Sequence, residues 1–292
     1  MPARLFFMLI SSVVALMAFD IDILKPKPSN AESTLIVLDA NKSLSFESVT
    51  VDAKRYPILP APNNPSKYYA LIPFSYYEKP SKKAVTIHYN EKKVAQEKRV
   101  WIYLQSGTYA KEKIHVAASK VNPKSAAVQK RIAAEYKEAM AIYHTKTPHN
   151  YLRRPFILPL ESAITSEFGK ARLYNGTLKG YHSGTDFRAK VGTPIKAAND
   201  GRVVLCKDRF YSGGTVIVDH GAGLYSCYFH MSQFAVKKGD RIKRGDLLGL
   251  SGASGRVTGP HLHFAVRLYG VQVDPLQLIA LLNNNLLKEK QQ

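Results

Sequence analysis

Gly259-Pro260-His261-Leu262-His263-Phe264 alternates apolar side chains with imidazoles. In an extended strand alternate side chains share a face, so Leu262 and Phe264 pack inward while His261 and His263 project together. A helix would splay residues two apart by about 200°, so convergence of the two histidines requires a strand. A second metal-type spacing lies upstream in His182-Ser183-Gly184-Thr185-Asp186. Residues four apart fall on one side in either geometry, and Gly184 favours a loop or a strand edge. Together the two segments offer a divalent cation two imidazoles and one carboxylate, with one coordination position left open. That is the donor set of a catalytic zinc site rather than of a closed structural one.

A third histidine closes the run Tyr228-Phe229-His230-Met231. Alternation places Tyr228 and His230 on one face and Phe229 on the other. Hydrolysis at zinc needs a group that takes the proton of the attacking water. In helix-borne HExxH sites that group is the glutamate, but this chain has no HExxH and neither metal segment contains a glutamate. The histidines left over, His230 and His261, are the candidates, because zinc brings the pKa of its water to about 7, within reach of a neutral imidazole.

Both metal segments lie in a region, from Tyr151 onward, where short β-rich runs alternate with glycine turns. This predicts an antiparallel sheet. Asp219-His220-Gly221-Ala222-Gly223 joins two of the runs as a hairpin, with His220 a turn residue whose neighbours supply the positive φ angles. Residues from about Glu32 to Val116 also read as β, with strands at Thr34 to Leu38, Tyr68 to Ile72, Ala84 to Tyr89 and Val100 to Leu104. The aromatics Tyr76, Tyr77, Tyr89, Trp101 and Tyr103 are expected in a sandwich core in preference to a sugar-binding face, and His88 and His115 are expected to be structural. Asn122-Pro123 is expected to open a helix, with Asn as its cap and Pro at its first position. Val128, Ile132, Tyr136, Met140 and Tyr143 mark its docking face. The predicted organisation is a mainly β chain: a small N-terminal β-domain over 32–120, a helical connector over 121–150, a catalytic β-sheet domain over 151–282 and a polar tail over 283–292.

With 292 residues the chain can hold two modest domains. Its net charge of +20 favours an anionic polymer or surface. Arg4 precedes an unbroken apolar run from Leu5 to Phe19, the length of a signal-peptide core and short of the roughly 20 residues a spanning helix needs. A removed signal peptide over 1–19 is the first expectation, and an uncleaved membrane anchor stays open. Either way the chain is exported, which argues against nucleic acid as the partner. The two cysteines, Cys206 and Cys227, have no zinc spacing. Each reads as a small buried strand residue rather than as half of a disulfide.

The stretch from about Ser162 to Leu278 resembles the lysostaphin/LytM zinc peptidoglycan endopeptidases through Ser166-Glu167-Phe168-Gly169, His182-Ser183-Gly184-Thr185-Asp186, Val218-Asp219-His220-Gly221, Tyr228-Phe229-His230, Gly249-Leu250-Ser251-Gly252, Thr258-Gly259-Pro260-His261-Leu262-His263-Phe264 and Asp274-Pro275. The resemblance implies that His182, Asp186 and His263 bind zinc. It implies that His230 and His261 flank the metal, one as general base and one as stabiliser of the oxyanion. It implies peptidoglycan as the substrate, and the N-terminal β-region with its connector resembles exported Gram-negative relatives, which implies the D-alanyl–diaminopimelate crosslink and a periplasmic location. Relatives that have lost zinc ligands serve as amidase activators. A non-hydrolytic wall-binding or activating role, with a homologous or regulatory protein partner, is therefore the alternative. Tyr174, Asn175 and Arg256 sit in loops beside the metal segments as weaker substrate-contact candidates. The N-terminal region is expected either to fold back over the groove or to act as a passive spacer.

Overall fold

The structure, a computed structural model, describes residues 19–40, 44–114, 123–145, 147, 149–174 and 176–288. The apolar segment 1–18, His115, Asn122, Pro148 and Asn175 lie outside them, and with them nearly all of the expected signal peptide or anchor. Among the described residues no helix is long and apolar enough to cross a membrane.

The N-terminal strands are β1 (Phe19–Leu24), β2 (Ser33–Ala40), β3 (Leu44–Val51), β4 (Lys54–Pro57), β5 (Leu59–Pro60), β6 (Lys67–Pro73), β7 (Ser81–Glu91) and β8 (Val94–Leu104). They form two four-stranded sheets, ordered β1-β2-β6-β5 and β4-β3-β7-β8. The unbroken apolar run of β2 follows from cover on both faces. Ile36 and Leu38 enter the core between the two sheets, whereas Leu35 and Val37 enter the core of the C-terminal half. Strand β1 begins upstream of the boundary expected at Glu32, and Phe19 packs edge-on against Phe46 and Tyr89. The aromatic expectation needs correction at four positions: Tyr77, Trp101 and Tyr103 are 70%, 41% and 45% exposed, and Tyr76 stacks on Tyr181 instead of entering the core between the sheets. Strand β8 ends its sheet, and Ile102 and Leu104 take the inward parity, which turns Trp101 and Tyr103 to solvent.

After β9 (Lys111–Ile114) comes helix α1 (Ala126–Tyr143). It starts after Ser125, so Pro123 is not its first residue. Only its last turns dock, with Ala139 and Tyr143 buried against Leu205, Ile217, Tyr225 and Cys227. Tyr136, expected on the docking face, is 65% exposed; its neighbour Glu135 turns inward and accepts from the Phe210 N–H at 3.0 Å.

The C-terminal strands are β10 (Ile164–Ser166), β11 (Ala171–Tyr174), β12 (Thr177–Tyr181), β13 (Thr185–Arg188), β14 (Pro194–Lys196), β15 (Gly201–Arg209), β16 (Gly213–Asp219), β17 (Leu224–Phe234), β18 (Arg241–Ile242), β19 (Leu247–Ser251), β20 (His261–Leu268) and β21 (Val271–Val273). The main path runs β10-β13-β20-β17-β16-β15-β18 with every pairing antiparallel. Leu262, Phe264, Phe187 and Tyr228 face its core. The β16–β17 hairpin takes positive φ at Gly221, Ala222 and Gly223. His220 within it is fully buried, its Nδ1 donating to the Asp200 carbonyl at 2.7 Å. Both cysteines are free.

Helix α2 (Pro275–Asn285) is capped by the Asp274 carboxylate, which accepts from the N–H groups of Leu276 and Gln277. The Gln277 amide binds both the N–H and the carbonyl of Ser33 in β2. The polar tail expected from Asn283 begins later. The Asn283 amide binds the Phe156 backbone at both N–H and carbonyl, and Leu286 and Leu287 are buried in the core.

Candidate metal centre

Strands β13 and β20 pair with Asp186 opposite His263, and both lie on the face away from the core occupied by Phe187, Leu262 and Phe264. His182 sits in the turn between β12 and β13, four residues before Asp186. The three side chains converge. His182 Nε2 is 2.9 Å from Asp186 Oδ1 and 3.0 Å from His263 Nδ1, and His263 Nδ1 is 2.8 Å from the same carboxylate oxygen. All three residues are buried, and among the described residues they form the one cluster of metal-ligating type.

The hydrogen bonds around the cluster fix what it can hold. His182 Nδ1 donates to the Glu167 carbonyl at 2.7 Å, so Nε2 of the neutral ring carries a lone pair. Burial alone would raise the Asp186 pKa, but the imidazoles of His182 and His263 outweigh it and hold the carboxyl well below the ordinary range. Two lone-pair donors therefore face His263 Nδ1. One proton on that nitrogen can serve only one of them, whereas a cation at the common focus serves all three. Tetrahedral zinc spaces such donors about 3.4 Å apart. Spreading 2.8–3.0 Å to that value asks for half an ångström of side-chain motion.

Two further imidazoles border this focus. His261 Nδ1 donates to the Gly259 carbonyl at 2.9 Å, and its Nε2 lies 3.7 Å from Asp186 Oδ1. His230 Nδ1 donates to the Ser254 carbonyl at 2.8 Å, and the His230 and His261 rings lie 4.9 Å apart. Burial pushes the imidazole of His230 down to about 3, with the rings of His263 and His261 adding to the effect. The same burial takes His263 to about 4 despite the opposing pull of Asp186.

The position of His230 corrects the alternation expected for β17. Val216 pairs with Tyr228 but Gly214 pairs with Met231, so β17 carries one extra residue there. His230 occupies this bulge with φ +64°. A bulge re-aims the side chain. His230 thus joins Phe229 on the metal side, while Tyr228 and Met231 face the core. Phe229 lies flat on the His263 ring, planes 3° apart.

Three residues at the site were not anticipated in these roles. Arg172 of β11 contacts Asp186 Oδ2 at 3.2 Å through Nη2, and Glu112 of β9 contacts Arg172 Nε at 3.3 Å. Ser166 Oγ lies 3.2 Å from His182 Nδ1. A cleft of about 350 Å³ opens above the cluster, walled by Glu112, Ser166, Arg172, Asp186, His230 and His261. Arg256 borders this cleft and the smaller one beside it. The Tyr174 side chain lies outside the described residues.

The family model described as peptidase family M23 matches residues 180–275, a window that holds all five of His182, Asp186, His230, His261 and His263. The chain carries a peptidase family M23 domain. The chain is 38% identical over 138 residues to peptidoglycan DD-endopeptidase ShyA of Vibrio cholerae serotype O1, covering 46% of this chain and 32% of that protein. It is 35% identical over 97 residues to DD-carboxypeptidase/endopeptidase Mpg of Neisseria meningitidis serogroup B, covering 33% of this chain and 22% of that one. The chain thus spans about a third or less of the length of these curated relatives. A crystal structure from Pseudomonas aeruginosa assigned to peptidase M23 matches beyond the M23 domain, covering 87% of this chain and 95% of that chain at 28% identity and a TM-score of 0.66.

Proposed function

We propose that this chain is a zinc-dependent peptidoglycan endopeptidase, exported to the periplasm, that cuts D-alanyl–diaminopimelate crosslinks during wall remodelling. The observation that carries it is the convergence of His182 Nε2, His263 Nδ1 and Asp186 Oδ1 on one point beside two spare imidazoles, inside an M23 domain. The names of the relatives, DD-endopeptidase and DD-carboxypeptidase/endopeptidase, support peptidoglycan peptides as the substrate.

In this account His182, Asp186 and His263 hold the metal, which would supply Lewis acidity for water and for the scissile carbonyl. His230 and His261 each keep Nδ1–H on a backbone carbonyl and so present Nε2 to the cleft. One of them takes the proton of the attacking water at Nε2, and an imidazole protonated there donates to the tetrahedral oxyanion. Depressed by burial, His230 is neutral at physiological pH, so its Nε2 carries a lone pair. Phe229 holds the His263 ring in place and keeps water off its face. The charge of +20 draws the protein to an acidic sacculus.

Isolated sacculi provide the test. Protein stripped by a chelator should release no soluble fragments, and about one equivalent of zinc should restore release. Undiminished release after complete metal removal would overturn the proposal.

A further inference from the structure

The most consequential contact between the two halves of the chain is made by a carboxylate. Strand β9 runs parallel to β11 with Glu112 opposite Arg172, and Ala171 N–H donates to the Ala110 carbonyl at 2.8 Å. Tyr109 lies over Gly169, where a Cβ would meet its ring at 2.2 Å. Tyr76 stacks on Tyr181, the residue before His182, with centroids 3.9 Å apart. The N-terminal region is therefore braced against the segment that carries His182.

We propose that Glu112 is a positioning residue for the metal site, acting on His182 through Ser166 and on Asp186 through Arg172. This rests on the assignment of His182 and Asp186 as ligands made above. Ser166 Oγ–H donates to Glu112 Oε1 at 3.0 Å. With its proton committed to Glu112, the hydroxyl turns a lone pair toward His182 Nδ1, 3.2 Å away. Nδ1–H is then shared between the Ser166 hydroxyl and the Glu167 carbonyl. Both acceptors favour the tautomer whose Nε2 can coordinate. Without the carboxylate, the Ser166 proton can rotate toward Nδ1 and oppose the tautomer that the Glu167 carbonyl favours.

The second route is electrostatic. Arg172 reaches Asp186 Oδ2 through Nη2, and by itself it competes with a cation for the carboxylate charge. Glu112 Oε2 sits 3.3 Å from Arg172 Nε, and its charge offsets that competition. Outer carboxylates of this kind tune metal sites by 10–100-fold (roughly) in affinity or activity. Glu112 would supply this support from outside the M23 window, 54 residues before Ser166.

The measurement is zinc affinity of the full chain by competition with a chelator of known strength. Glu112→Ala and Ser166→Ala should each weaken zinc binding about 10-fold or more. The double variant should be no weaker than Glu112→Ala alone, because that change already cuts the relay through Ser166. Glu112→Gln, nearly isosteric, should fold like the parent by circular dichroism and fall between parent and Glu112→Ala. Unchanged affinity in folded Glu112→Gln and Glu112→Ala would overturn the inference, as would additive losses in the double variant. So would faster hydrolysis by Glu112→Ala at full zinc loading, which would make β9 a cover on the cleft. A His182→Ala control separates the two levels. If it keeps zinc, the ligand assignment fails; if it loses zinc while the Glu112 variants do not, only the positioning role fails.

Discussion

Gly184 lies so close to His263 that a Cβ built on it would stand 2.5 Å from the imidazole Nε2 and 2.5 Å from the Phe264 carbonyl oxygen. Glycine is required there by space, since the opposing carbonyl belongs to β20 and cannot swing away. Gly184→Ala should push β13 from β20, cost about 1–3 kcal/mol by overpacking, and move Asp186 off its partner. The expected result is a lower melting temperature together with loss of bound metal. A variant with unchanged melting and metal content would show that the two strands are not so tightly apposed.

Metal content tests the ligand set directly. The parent should hold about one zinc per chain, and His182→Ala, Asp186→Ala and His263→Ala should each lose most of it by elemental analysis. Full occupancy in all three would place the metal elsewhere.

The accessory imidazoles should separate chemistry from binding. His230→Ala and His261→Ala should keep zinc and fold, yet lose about 10²–10⁴-fold in turnover, the usual contribution of a general acid–base group. Near-parent turnover in the double variant would assign the proton transfer to another group.

Acid should destabilise the metal-free protein. Burial holds His263 near 4 and His230 near 3 and lowers His220 as well. An unfolded histidine titrates near 6.5, so between about pH 6.5 and pH 4 the unfolded chain binds more protons than the folded one, and stability falls with falling pH. The contribution is complete above about pH 6.5 and is lost as pH drops toward the folded values. Thermal scans in chelator should show the melting temperature dropping across that window. A flat or rising profile would contradict burial of neutral imidazoles.

How much of this was legible in the sequence depends on range. His261 and His263 share a face because strand parity is local, and Leu262 and Phe264 are buried as that parity requires. His182 and Asp186 meet because both spacings are short. His230 reached the site by a different route from the one expected, since a bulge reverses parity and leaves no mark in Tyr228-Phe229-His230-Met231. Glu112 and Arg172 were illegible, because the parallel pairing of β9 with β11 joins residues 60 positions apart in the same register. The boundary near Tyr151 is crossed by one core: Leu35, Val37, Tyr69 and Leu71 pack with Leu278 and Leu282, whereas Ile36, Leu38 and Ile72 keep to a core of the N-terminal sheets. Strand β2 is apolar on both faces, and only the fold reveals what covers the second.

The proposed hydrolysis of a wall crosslink at this His/Asp/His centre can be followed by mass analysis of purified crosslinked muropeptide dimers after incubation with the zinc-loaded protein. Conversion to monomers split at the D-alanyl–diaminopimelate bond is predicted, abolished in Asp186→Ala. Intact dimers after incubation with folded, zinc-loaded parent protein would contradict it.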